Sequence, residues 1–94
     1  MGRTYSDYGE EIVDVRSKIA EVCDGIKDML IDKNKAYGNS ALEPVRVFSK
    51  ASTVEQLLVR IDDKLSRIVN GALNDDNLDD LVGYLILLKI KRGE

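Results

Sequence analysis

Ninety-four residues, 44% hydrophobic and 33% charged, make a single folding domain, but a chain this short buries only about 60–65% of its surface, so a partner subunit would help it. A formal charge of −3 gives no general attraction to nucleic acid or anionic membranes. The absence of histidine, with Cys23 as the single cysteine, excludes the common zinc sites, His-based triads and any intrachain disulfide.

No charged-then-apolar leader opens the sequence and no apolar run nears the roughly 18 residues of a membrane span, so a cytoplasmic protein is expected. Any metal in it would be Mg²⁺ or Mn²⁺ held by oxygen.

The spacing of Ile12, Val15, Ile19, Val22, Cys23, Ile26 and Leu30 predicts an amphipathic helix over about 6–35. Cys23 reads as a small buried apolar residue of that stripe. Continuing the 100° steps brings Lys33 and Tyr37 to the core-facing side, and Gly38 suits the left-handed residue that closes the helix. Pro44 then suits the first turn of a short helix over about 44–50. Ser52 with Glu55 forms a capping-box pattern, and Val54, Leu57, Leu58, Ile61, Leu65 and Ile68 mark a helix over 53–70.

After the polar link 70–77, an Asn or Asp cap opens a last helix at about 77–91, with Leu78, Leu81, Leu85 and Leu88 on its main stripe. Val82, Ile86 and Ile90 make a second apolar side that two antiparallel neighbours cannot cover. The expectation is an all-α single domain, 1–94: a small antiparallel helical bundle of three main helices and one short helix, oligomeric, with a second chain on that side. The alternative is that the Pro44 segment or the N-terminal tail folds over it.

Charged residues line the margins of these stripes. Asp63 points away from the core and can pair with Arg60 or Arg67, whereas Asp62 is half-sheltered. Asp80 sits one turn from Tyr84; Asp76 suits the positive end of the last helix. Lys33, Lys35, Arg60, Lys64 and Arg67 form a cationic set able to hold phosphate oxygens where several converge. Tyr37 could stack on a base or pack at the stripe's end.

Taken together, KNKAYGNS (33–40), RIDDKLSRI (60–68) and DDLVGYLILL (79–88) resemble the phage and bacterial proteins called nucleotide modification associated domain type 1, which are similar in style to the MazG-like all-α nucleoside triphosphate pyrophosphohydrolases. The resemblance spans about Ile12 to Lys89. It implies a phage or prophage origin, a helical oligomer and a nucleotide-sized pocket between helices. Lys33, Asn34, Tyr37, Gly38, Asn39 and Ser40 carry the first motif, Arg60, Asp62, Lys64 and Arg67 the second, and Asp80 with Tyr84 the third.

MazG-like enzymes present two acidic pairs, E-x-x-E and E-x-x-D, that hold Mg²⁺ against a triphosphate. This sequence offers a reduced set, in which Asp62, Asp76 and Asp80 are the candidate metal ligands of an enzyme. The leading expectation is therefore binding of a nucleotide or a cyclic nucleotide signal by sequestration, with no metal required. Lys33, Arg60, Lys64 and Arg67 would meet phosphate; Tyr37, Asn39 and Tyr84 would meet base or sugar. The rivals are a Mg²⁺- or Mn²⁺-dependent pyrophosphohydrolase, and a module that binds a host protein through Val82, Ile86 and Ile90.

Overall fold

The computed structural model describes residues 5–44 and 46–94, with side chains from residue 14 onward. Its regular structure is three α-helices: α1 (Tyr5–Tyr37), α2 (Thr53–Val69) and α3 (Asp75–Arg92). Local chemistry sets their ends. The Ser52 hydroxyl caps α2 by accepting the Glu55 N–H at 3.1 Å. The Asn74 side chain caps α3 by accepting the Asn77 N–H at 2.9 Å, so this helix begins two residues before the expected Asn77. Buried Asn77 in turn donates its amide to the Ala72 carbonyl at 2.7 Å, tying the α2–α3 link to the helix it feeds. Gly71 in that link takes φ +100°, a value that side chains resist.

Helices α2 and α3 pack closely along each other, and α1 approaches α3 over a shorter stretch. Lys33 of α1 pairs with Asp80 of α3, and three residues back along α1, Leu30 lies against Gly83, three residues on along α3; the two helices are therefore antiparallel. Gly83 is buried, and a Cβ there would come within 3.0 Å of Leu30 Cδ2. The missing side chain lets α1 close on α3. Among the described residues the buried apolar core is Ile26, Leu57 and Ile61.

Three local expectations change. Residues 46–50 are not helical, and Val45 lies outside the described residues. Instead the Arg46 guanidinium reaches the Ala51 carbonyl and donates to Thr53 Oγ1 at 2.9 Å, while Ser49 Oγ accepts the Ala51 N–H, so side chains satisfy this backbone where a helical ladder would have. Cys23 is exposed, not buried, because α1 meets α3 only over a short stretch, marked by Leu30 against Gly83 and Lys33 against Asp80. On α3 the face turned to α1 carries Asp80, Gly83 and Leu87, so Leu78 and Leu85 of the expected main stripe are left exposed along with Val82, Ile86 and Ile90.

Candidate functional site

The chain leaves α1 through a turn that its own amides hold. Gly38 stands at φ +66°, and its N–H donates to the Asn34 carbonyl at 2.7 Å. The Asn34 side-chain amide donates to the Gly38 carbonyl at 3.1 Å and to Asn39 Oδ1 at 2.8 Å. The Asn39 carbonyl then accepts the N–H groups of Leu42 and Glu43 at 2.9 and 2.7 Å. Thr53 Oγ1, itself held by Arg46, donates to the Leu42 carbonyl at 3.4 Å and ties the far end of the turn to the start of α2. The turn is thus braced at both ends.

Under it lies a cleft of about 400 Å³. Its walls are Lys33, Asn34 and Tyr37 from α1, residues 38–42 from the turn, Arg60 from α2, and Asp80 and Tyr84 from α3. Met29, Leu30, Gly83 and Leu87 make an apolar floor. At one side Asp80 is clamped between two ammonium groups, Lys33 Nζ at 3.1 Å and Lys64 Nζ at 3.0 Å. Burial raises the Asp80 carboxyl, but the hydrogen bonds and charges of Lys64 and Lys33 outweigh it and hold the group below the ordinary carboxylate range. At the other side the Arg60 guanidinium stands over the Tyr84 ring, 5.8 Å from its centroid. Three cations thus face one carboxylate, so the site keeps a positive excess for an anion.

The fold gathers most of the residues singled out from sequence: Lys33, Asn34, Tyr37, Gly38, Asn39, Ser40, Arg60, Asp80 and Tyr84 line the cleft, and Lys64, which does not line it, pairs with Asp80. Arg67 lies elsewhere, its Nε paired with Asp63 at 3.1 Å on the outer side of α2, which is the surface pair expected for Asp63. Asp62 is exposed, not half-sheltered, and neither it nor Asp76 reaches the cleft. Among the described residues no three carboxylate or thiol side chains gather as metal ligands, so Asp62, Asp76 and Asp80 do not form the metal set envisaged for an enzyme.

Of the apolar floor, Leu30 falls on the predicted stripe of α1, whereas Met29, Gly83 and Leu87 lie off the predicted stripes. Gly83, a glycine inside a helix, is the signal for the packing there. Comparison of the chain with family models, with curated proteins and with solved structures finds no match.

Proposed function

We propose that the cleft captures a nucleotide, linear or cyclic, and holds it without turnover. The observation that carries this reading is the pairing of a cation-covered tyrosine with a lysine–carboxylate–lysine clamp inside one small cleft. The Tyr84 ring under Arg60, with Tyr37 at the rim, offers a flat apolar surface to a base; the amides of Asn34 and Asn39 offer donors and acceptors to its edge or to a sugar. Lys33 is the more exposed arm of the clamp, so an arriving phosphate can take Lys33 and Arg60 while Lys64 keeps Asp80 neutralised. A cavity of about 400 Å³ falls within the roughly 300–1,000 Å³ range of small-molecule sites.

Capture is favoured over cleavage because Asp80 is the one carboxylate lining the cleft among the described residues, and it is already committed to two lysines. Metal-assisted attack on a phosphate draws on several carboxylates that hold Mg²⁺ and position water. A phage-type protein that withdraws a signalling nucleotide needs affinity and stoichiometric amounts, not turnover, and the cations and amides of this cleft supply groups for affinity.

Titration calorimetry against a panel of linear and cyclic nucleotides tests the reading. Binding by at least one member is expected, weakened by about tenfold or more in Arg60→Ala, in line with loss of a charge-assisted hydrogen bond to phosphate. No heat with any nucleotide would overturn it. Incubation with Mg²⁺ or Mn²⁺ and each nucleoside triphosphate should leave the substrate intact; appearance of monophosphate and pyrophosphate would transfer the site to a pyrophosphohydrolase.

A further inference from the structure

The chain is too extended to be a complete folded unit. It exposes 7195 Å², where a compact monomer of its mass exposes about 5,400 Å². Its radius of gyration is 17.7 Å, against about 12 Å for a compact 94-residue domain. The long dimension, 63 Å, comes from α1, whose 33 residues span about 50 Å while α3 accompanies only the C-terminal part.

The uncovered part of α1 is not a polar helix. Val15, Ile19 and Val22 are 54%, 57% and 61% exposed, whereas Ile26, next on the same stripe, is 8% exposed under α3. Their spacing of four, three and four residues is the a/d repeat of a coiled-coil seam, and the sequence carries it back to Ile12 and on to Met29. Most of the stability of a helix in a protein comes from packing its amphipathic face, which this part of α1 has not done. Of the charges along this part of the helix, Lys18 pairs with Asp14 at 3.1 Å and Lys27 with Asp24 at 3.4 Å within the helix itself.

We propose that two copies of the chain associate through the N-terminal half of α1, running antiparallel along the Val15–Ile19–Val22 seam. The orientation follows from α3. From Ile26 onward the same face of α1 is occupied by α3, so a parallel partner in register would drive its own α3 into that of its neighbour. An antiparallel partner overlaps only the uncovered halves and sends the two α2–α3 pairs to opposite ends. Cys23 and Gly25 flank the seam with side chains too small to hold the partner helix away. The surplus of about 1,800 Å² per chain over the compact-monomer scaling exceeds the roughly 800 Å² per partner of a standard stable interface, and exposed Ile86 and Ile90 on the last turns of α3 add apolar surface beside it. A dimer so built places the two clefts far apart.

Sedimentation of the full chain at micromolar concentration, with no nucleotide added, is expected to give a mass of at least two chains; a one-chain mass would overturn the proposal whatever the cleft binds. Ile19→Glu should weaken association by tenfold or more. Because that variant could also lose helix, cross-linking separates the seam from other surfaces. In a Cys23→Ser background, Ile19→Cys should oxidise rapidly to a linked dimer that a reducing agent releases, and Leu78→Cys should not. Linkage through Leu78→Cys without linkage through Ile19→Cys would place the interface on α3 and overturn the assignment to α1.

Discussion

The two halves of α1 carry one continuous apolar stripe, yet they live in different surroundings. From Ile26 to Tyr37 the helix lies on α3 and forms a wall of the cleft; from Val15 to Val22 the same stripe faces outward. The cause lies in another element, because α3 meets α1 only over a short stretch, marked by Leu30 against Gly83 and Lys33 against Asp80. An amphipathic pattern states that a face is to be covered. It does not state by what, and in this chain half of the cover comes from within while the proposal above assigns the other half to a second copy.

Substitutions can sharpen that contrast. The largest stability effect is expected at Leu57 of α2, which is 1% exposed: Leu57→Ala should cost about 2–5 kcal/mol, read by urea denaturation. Next comes Gly83→Val. Its Cβ would meet Leu30 Cδ2 at 3.0 Å and its added methyl groups would go further, so overpacking should cost about 1–3 kcal/mol and, by lifting α1 from α3, weaken nucleotide binding as well. Val15→Ala, outside the cleft, should leave nucleotide affinity unchanged while weakening self-association, which separates the two halves of the helix directly.

A smaller effect is expected at the clamp. Asp80 and Lys64 have side chains 26% and 14% exposed, so Asp80→Asn should cost roughly 1–2 kcal/mol, between the values for surface and buried pairs. Because the folded-state carboxyl titrates below its ordinary range, its contribution is complete above a pH of about 4, where the unfolded group is already ionised. It is lost as pH falls through the lowered folded value, so the stabilities of the two proteins should converge below that value. The smallest effect belongs to Asp63→Ala, which removes an exposed pair with Arg67 and should change stability by at most about 0.5 kcal/mol.

Much of the fold is legible in the sequence where the signal is local. The three helices follow from apolar spacing, and the caps at Ser52 and Gly38 follow from chemistry that acts over a turn or less; the start of α3 is less sharply marked, because Asn74, Asp75, Asp76 and Asn77 all suit a cap. The Pro44 segment misled because Pro44 states only that a helix could begin; the side-chain bonds of Arg46 and Ser49 compete for the same backbone and fold it otherwise. Cys23 misled for a different reason, since apolar spacing says which residues share a face and not how far along the helix a neighbour follows it, and Cys23 is exposed.

The cleft divides in the same manner. Residues 33–40 and 60–84 supply its polar groups in order along the chain, so the candidates could be named before any geometry was known. Which of them meet depends on the antiparallel register of α1 on α3, with Lys33 opposite Asp80 and Leu30 opposite Gly83. That register brings Lys33, Lys64 and Asp80 together and leaves Arg67 to Asp63 on the outside of α2. By itself, then, the sequence determined three amphipathic helices, their caps and a stock of cationic, amide and tyrosine groups, because periodicity and capping act within one or two turns. Only the tertiary structure decided that Asp80 is a clamped counter-ion apart from Asp62 and Asp76, that Gly83 seats α1 over an apolar floor, and that α1 outruns its cover. Those outcomes depend on where one helix ends against another, and no local interaction along the chain encodes that.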